Sequence, residues 1–391
     1  MQAHSSKPAR GTSPFFDAVL FTAYICIAGS AFLLTKDATV LVRPCTIAAI
    51  RLSIGGCGLF LLSLLVLGAR TTVTTLRKGL SLPTALIGTL NTAVPYSLYA
   101  AAAALGVPVW FSAVASGTTP LFALVFTCCI APENRRASAL ELAGLATGLS
   151  GLTLLALKKQ IASGGHSDTP DGASWGAACI LLVGVACKAL AAVLAQRLLH
   201  RPERTGADEH VGCGGPGEQS SANSNPPVSV RPPAPGPLEF ALVQTLWGCA
   251  AALLLMLVID GPPTFGGDPP AQIGRLGRWP GAWPALLYLG LASSCLVYVI
   301  QFALLQRLGA VRQLTIDYGT PIVGVIEGGM RGDFEGLSAA LMALVVGGCV
   351  LAASGVGMVH VGSERARQRQ AVAQAQAALL AQPLNASGRQ P

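Results

Sequence analysis

Four ionisable side chains lie inside long apolar stretches of this sequence: Arg51, Lys188, Asp317 and Glu327. A charge within a membrane-crossing segment is costly, so each such residue is a candidate for binding, proton transfer or gating. The set contains two cations and two anions, and mutual pairing could therefore neutralise it. The chemistry on offer is the recognition of a charged or zwitterionic solute.

Depth within each stretch separates a functional from a structural interpretation. Arg51 lies near a membrane face, so a snorkelling or structurally paired arginine is favoured over a solute-binding one. Lys188 lies about 14 residues into its stretch, or about 21 Å at 1.5 Å per residue, where snorkelling is awkward. Contact of Lys188 with a solute and a role as counter-charge both stay open.

Asp317 precedes Pro321 by one helical turn. Proline has no backbone N–H, so it leaves the carbonyl of Asp317 without its helical donor, and freed backbone is tolerated where it lines a cavity. We expect Asp317 to belong to a binding site, with a structural ion pair to Lys188 or Arg51 as the alternative. For Glu327, nearer the other membrane face, gating or plain exposure is expected.

Uncharged polar residues recur at helical spacing beside these charges, which predicts polar stripes on several helices. We expect the stripes to line a cavity, with hydrogen bonding between helices as the alternative. The candidate solute-binding residues on them are Asn91, Tyr99, Ser116, Thr119, Tyr298 and Gln301.

Composition gives the class of protein that must position these residues. Charged residues make up 11% of the 391-residue chain, hydrophobic residues make up 52%, and the mean hydropathy is +0.57. An average soluble domain is about 25% charged, so the chain is predicted to be an all-α membrane protein. A span takes about 20 apolar residues, and we count ten transmembrane helices.

The spans divide the chain into two groups of five. The predicted organisation is a cytoplasmic tail over 1–14, a five-helix unit over 15–157, a second over 174–361 and a cytoplasmic tail over 362–391. Residues 200–237, rich in Pro, Gly and Ser, interrupt the second unit and are predicted to be a disordered cytoplasmic loop. The tail from Ser363 has the composition of a solvated or surface-lying helix.

Lysine and arginine in the loops predict the orientation. Alternating spans leave 17 of these residues on the side that holds both termini and 7 on the other, besides Arg51 and Lys188 within spans. Both termini are therefore expected in the cytoplasm, in a plasma membrane or an endomembrane. Topology and a lipid bilayer explain the net charge of +8, so no nucleic-acid partner is expected.

Similar features recur in the two units. A shift of 202 positions carries Asn91 onto Ser293 and Tyr96 onto Tyr298, and a shift of 201 carries Pro120 onto Pro321. Since each unit has an odd number of spans, the second must insert upside down relative to the first. Two inverted five-helix repeats with a site between them are a transporter architecture. Pro120 and Pro321, expected in mid-helix, are the candidate hinges.

The order of these features resembles the drug/metabolite transporter superfamily, in particular its ten-span EamA-type members. The motifs that carry the resemblance are Gly29-Ser30-Ala31-Phe32, Lys36, Ile50-Arg51-Leu52, Leu98-Tyr99, Ala104-Leu105-Gly106, Pro120-Leu121-Phe122, Glu133-Asn134-Arg135, Gln196-Arg197-Leu198, Arg307-Leu308-Gly309-Ala310, Pro321 and Gly332-Asp333. The resemblance implies a solute carrier with a central cavity lined by both halves. Ala28 and Lys188 depart from the aromatic residues usual in the family.

Three functions follow as hypotheses. The favoured one is secondary-active or facilitative transport of a small polar solute by alternating access: an amino acid, a nucleotide sugar, or a phosphorylated or organic anion. A structural or regulatory membrane protein is the first alternative. A polytopic membrane enzyme is disfavoured because no histidine or cysteine spacing suggests a metal or catalytic site, and no cofactor is expected. The Gly144 and Gly148 pair predicts close helix packing, within one subunit or in a homodimer.

Overall fold

The computed structural model of the chain is almost entirely helical in the part that it describes, and that part contains no β-strand. The described residues are 14–39, 42–79, 81–105, 107, 112, 115–130, 138–162, 173–199, 236–261, 282–330 and 339–380. The predictions for the N-terminal tail, for nearly all of the 200–237 loop and for the last residues of the C-terminal tail fall outside these ranges.

The described residues before 163 form six helices. They are α1 (Pro14–Thr39), α2 (Pro44–Leu67), α3 (Ala69–Gly79), α4 (82–104), α5 (Thr119–Ile130) and α6 (Ala139–Ala162). The helix α4 is α-helical at both ends and π-helical over Thr89–Ala93. A π-segment within an α-helix is rare and often marks a functional site.

The second half begins with α7 (Ala173–Leu199) and α8 (237–260). It continues with α9 (282–308), which is π-helical over Tyr288–Leu296, then with α10 (Ala310–Leu314), α11 (Thr320–Met330) and α12 (Ala339–Leu380). A 3₁₀ turn, Thr315–Tyr318, lies between α10 and α11.

The chain is a polytopic helical membrane protein. Six of the described helices are long and apolar enough to cross a bilayer, namely Phe15–Thr39, Pro44–Leu67, Trp175–Leu199, Pro237–Asp260, Trp283–Leu308 and Met342–Ala366. Their outward faces carry large apolar side chains, including Leu65, Trp175 and Val258, each more than 70% exposed. A surface of this kind suits contact with lipid acyl chains.

The helix α12 is longer than the sequence predicts. Its 42 residues run without interruption from Ala339 to Leu380, past residue 361, where the second unit is predicted to end. Residues 363–380 thus continue a membrane helix and do not form a separate surface helix. Helix-favouring Ala, Gln, Arg and Glu over that stretch explain why the helix does not stop at the end of its apolar part.

The two candidate hinge prolines lie in the first turn of a helix, so their expected mid-helix position is wrong, while their role as hinges stays a prediction. Pro120 and Pro321 each occupy the first turn of a helix, α5 and α11, immediately after a turn or 3₁₀ segment. In the first turn, the missing N–H would have had no intrahelical partner, so proline costs little there. Each proline therefore lies where a turn or 3₁₀ segment passes into an α-helix.

The helices α6 and α12 pack together through glycine. A Cβ atom on Gly355 would lie 2.5 Å from the backbone nitrogen of Gly148 and 2.6 Å from the carbonyl oxygen of Gly144. Small residues allow this backbone approach, which drives helix association in lipid. The Gly144 and Gly148 pair is therefore used within the chain.

The start of α2 is held by a side chain from the end of α8. One carboxylate oxygen of Asp260 accepts hydrogen bonds from the backbone N–H of Thr46, at 2.7 Å, and from its hydroxyl, at 2.8 Å. Asp260 is 8% exposed. A carboxylate at a helix N-terminus satisfies a backbone donor and interacts favourably with the helix dipole.

Asp260→Ala is expected to lower the free energy of unfolding by about 1–3 kcal/mol, because it leaves a buried donor without an acceptor. Asp260→Asn keeps an acceptor and loses the charge, so its loss should be smaller. Thermal unfolding of the detergent-purified protein measures both. An Asp260→Ala protein as stable as the unmodified chain would contradict this role for the carboxylate.

Candidate functional site

A cavity of about 70 Å³ lies among α1, α2, α4, α7, α9 and the segment that joins α10 to α11. Its apolar wall is formed by residues such as Ala31, Phe32 and Val297. Its polar lining consists of Tyr24, Thr35, Lys36, Arg51, Asn91, Tyr96, Tyr99, Ser112, Lys188, Ser293, Tyr298, Gln301, Asp317 and Thr320. A polar cavity inside an apolar helical bundle can hold water or a small solute.

Lys188 and Asp317 form an ion pair in this lining. The Lys188 ammonium nitrogen lies 2.9 Å from one carboxylate oxygen of Asp317 and 3.1 Å from the other. The side chains are 17% and 3% exposed. The two interpretations left open by the sequence are therefore compatible, because the residues pair with each other and also face the cavity.

The 3₁₀ turn between α10 and α11 places Asp317 in the cavity lining. The expectation that the Asp317 carbonyl would be free is wrong, since the Thr320 hydroxyl donates a hydrogen bond to it at 2.9 Å. A side-chain hydroxyl replaces the N–H that Pro321 lacks. The turn can thus stay irregular without leaving that buried carbonyl unpaired.

Arg51 does not snorkel to a membrane face, and the favoured sequence interpretation is wrong on that point. It is 6% exposed and faces the cavity from α2. Its Nε donates to the Ser294 hydroxyl at 2.8 Å, and its Nη2 donates to the Ser293 hydroxyl at 2.6 Å. Packing of α2 against α9 supplies these partners, which the sequence around Arg51 does not reveal.

Tyrosine side chains surround the charges. The Arg51 guanidinium lies over the Tyr96 ring, 3.8 Å from the ring centroid, in a cation–π contact. The Tyr298 hydroxyl donates to the Tyr96 hydroxyl at 2.6 Å. Tyr96 therefore fixes the plane of the guanidinium and joins α4 to α9.

Three cavity residues have a buried polar atom without a hydrogen-bond partner among the described residues: the Asn91 Oδ1, the Tyr99 hydroxyl and the Gln301 Nε2. These side chains are 3%, 9% and 1% exposed. The other end of the Asn91 amide donates to the Gln244 Oε1 at 3.0 Å. A buried polar group left unpaired costs about 1–3 kcal/mol, so these atoms are suited to contact a bound polar molecule.

Seven of the nine solute-binding candidates line this cavity, and two do not. Ser116 and Thr119 are buried where α5 begins but are absent from the lining. The Thr119 hydroxyl donates to the Ser116 carbonyl, and the Ser116 and Thr320 hydroxyls lie 3.3 Å apart. Their side chains form hydrogen-bond contacts at the starts of α5 and α11 and do not face the cavity. Glu327 does not line the cavity either.

Sequence reasoning missed Tyr24, Thr35 and Tyr96 as cavity residues. Tyr24, Ala28, Ala31 and Thr35 share one face of α1 at helical spacing, a weak signal because most of that stripe is apolar. A stronger signal for Tyr96 is the repeat register, which gives it the same position as Tyr298. No group of three or more His, Cys, Asp or Glu in the described ranges could hold a metal ion.

No family model and no curated protein matches the chain. A solved structure described only as "Crystal structure of protein" is similar to it, with a TM-score of 0.60 and 16% sequence identity. The match covers 90% of this chain and 99% of the other. At that identity the likeness concerns the fold alone: the chain is a helical membrane protein that shares its fold with that structure.

Proposed function

We propose that this protein is a secondary transporter that moves a small polar solute across a membrane by alternating access. The observation that carries the proposal is the polar, charged cavity inside a bundle whose outer surface is apolar. Maintaining Arg51, Lys188 and Asp317 there is costly, and ionisable residues at such positions typically mark solute pathways.

The proposed architecture is ten spans in two inverted five-helix repeats. Six helices are long and apolar enough to cross a bilayer. The four further spans would be α4, α6, the stretch that ends with α5, and residues 310–330, in which a 3₁₀ turn separates α10 from α11. Broken helices at a central site are typical of inverted-repeat transporters. The proposal extends to membership of the drug/metabolite transporter superfamily, which rests on the order of the sequence motifs.

Contacts that recur in the two halves support the repeat. Two such contacts join the halves: Gly55 of the first packs against Gly290 and Ser294 of the second, and Gly248 of the second packs against Gly88 and Thr92 of the first. The partner positions differ by the same 202 residues that relate Tyr96 to Tyr298. Likewise, the Thr119 hydroxyl donates to the Ser116 carbonyl, and the Thr320 hydroxyl donates to the Asp317 carbonyl. The residue numbers of these two hydrogen bonds differ by 201.

Contacts between equivalent residues support a two-fold axis. A residue contacts its equivalent in the other repeat only on or beside such an axis. Tyr96 and Tyr298 are equivalent in this way, and their hydroxyls are hydrogen-bonded. In the packing of α6 on α12, Gly144 meets Gly355 and Gly151 meets Gly348. A shift of 204 exchanges the two contacts. The cavity borders the Tyr96–Tyr298 pair, where an inverted-repeat carrier would hold its solute.

Orientation and assembly follow from the sequence. Both termini would face the cytoplasm, in a plasma membrane or an endomembrane. The driving force would be a solute gradient, exchange or protons. A homodimer stays a prediction, and Gly144 and Gly148 do not support it because they pack within the chain.

Solute uptake into proteoliposomes tests the function. Purified protein is reconstituted, and entry of radiolabelled lactate, glycerol 3-phosphate, alanine and a nucleotide sugar is compared with entry into protein-free vesicles. Saturable uptake of at least one solute is expected, accelerated when the vesicles are preloaded with it. Absence of flux for every class would favour the structural or regulatory alternative.

A further inference from the structure

We infer that the cavity selects a small solute with an oxyanion group, either a carboxylate or a phosphate, and that this group docks on Arg51. The inference rests on the proposed transport function, because it names the solute class of the same cavity. It depends on which charges the cavity leaves uncompensated.

The lining carries more positive than negative charge. Among the described residues, its basic side chains are Lys36, Arg51 and Lys188, and its acidic side chain is Asp317. Lys188 engages both oxygens of that carboxylate, so this pair is neutral as a unit. The remaining charges are the buried guanidinium of Arg51 and the ammonium of Lys36, which is exposed at the end of α1.

Arg51 has only neutral partners within the described part of the chain. The groups that it contacts are the hydroxyls of Ser293 and Ser294, the carbonyl of Ser293 and the Tyr96 ring. No ion pair of the described residues includes Arg51. A buried cation of this kind gains most from an anion that enters the cavity.

The guanidinium is already arranged for such an anion. The serines hold Nε and Nη2, the Tyr96 ring holds the plane, and Nη1 donates to no described residue. A fixed, planar guanidinium forms strong charge-assisted hydrogen bonds to carboxylate and phosphate oxygens. Little side-chain entropy would remain to be lost when the anion binds.

Nearby neutral groups favour a solute rich in acceptors. Tyr96 accepts the hydrogen of Tyr298, so its own hydroxyl hydrogen is left to donate. Tyr99 and Gln301 add a hydroxyl and an amide N–H that have no partner among the described residues. Asn91 Oδ1 is an unpartnered acceptor that suits a hydroxyl group elsewhere on the solute.

A cationic or zwitterionic solute is disfavoured by the same geometry. Its ammonium group would have to take Asp317 from Lys188, which holds both carboxylate oxygens. The displaced Lys188 would then be a buried, unpaired cation. An oxyanion at Arg51 requires no such exchange, so the structure favours the anion over the amino acid.

Binding to purified protein tests the class of solute. Lactate, lactamide and 1-amino-2-propanol share a skeleton and differ in charge, and glycerol 3-phosphate with glycerol forms a second matched set. We expect lactate or glycerol 3-phosphate to raise the melting temperature of the protein in nanodiscs, which also distinguishes carboxylate from phosphate. Equal stabilisation by a neutral or cationic member, or none by either anion, would overturn the inference.

Variants test the docking residue. Arg51→Gln should weaken anion binding by roughly 10- to 100-fold, because it removes a charge-assisted contact. Arg51→Lys keeps the charge without the planar fork and should lose less. The control is Arg307→Gln, which removes a cation that pairs with Asp17 outside the cavity. Unchanged affinity in Arg51→Gln would contradict the assignment.

Two safeguards keep the outcomes distinct. If Arg51→Gln does not elute as a monodisperse protein, the matched solute sets on the unmodified chain decide. Anion binding without flux in proteoliposomes would leave the anion site standing and overturn transport. Flux of a neutral or cationic solute, without anion binding, would overturn the anion site and leave transport standing.

Discussion

Lys188→Ala is expected to abolish solute uptake and to lower the free energy of unfolding by about 3–5 kcal/mol. The variant leaves the Asp317 carboxylate, only 3% exposed, without the ammonium that lies within 3.1 Å of both its oxygens. Taking two charges out of water is costly, and removal of one partner leaves the other uncompensated. Asp317→Ala should have the same effect from the other side.

Paired substitutions separate structure from transport. Lys188→Met combined with Asp317→Leu replaces the ion pair with apolar side chains, which is often neutral or stabilising for a buried pair. A charge-swapped pair, Lys188→Asp with Asp317→Lys, restores opposite charges. Both double variants should recover thermal stability and surface expression without uptake. Normal uptake by either would mean that the pair serves structure alone.

Gly355→Ala is the second substitution with a large expected effect, a loss of about 1–3 kcal/mol in the free energy of unfolding. The added methyl group would lie 2.5 Å from the backbone nitrogen of Gly148 and 2.6 Å from the carbonyl of Gly144. Both obstacles are backbone atoms, so no side chain can rotate away. The helices α6 and α12 would have to separate.

Gly357 offers a matched control on the same helix. A Cβ atom there meets nothing within 4 Å, while the gain in helix propensity from glycine to alanine is the same. Thermal unfolding of the two variants in one detergent isolates the packing effect. Equal melting temperatures for Gly355→Ala and Gly357→Ala would show that the close approach of α6 and α12 does not contribute to stability.

Apolar runs predicted where helices lie, because a membrane helix needs about 20 apolar residues in succession. The stretches predicted to begin at residues 15 and 174 start within one residue of α1 and α7. Irregularities were harder to predict. The π-segment of α4 has no sequence signature, and a proline within an apolar run does not reveal whether it bends a helix or starts one.

The sequence predicted those residues of the candidate site that carry a charge inside an apolar stretch, because such a charge is energetically costly. Lys188 and Asp317 were conspicuous as charges in apolar stretches, and their opposite signs suggested pairing. The environment of Arg51 was not predictable, because its serine partners lie on α9, more than 200 positions away. The sequence did not identify Tyr24 as a cavity residue, since a tyrosine within a membrane helix is also compatible with simple packing.

Because α12 is one uninterrupted helix, a tilt near its glycine contacts would move its C-terminal end by a larger distance. Leu380 lies 25 residues beyond Gly355, which is about 37 Å at 1.5 Å per residue. A tilt of about 10° at the glycine contacts would therefore displace the end of the helix by about 6 Å, measured along an arc of that radius. The C-terminal end of α12 would amplify, outside the bundle, small rearrangements of the helices that surround the cavity.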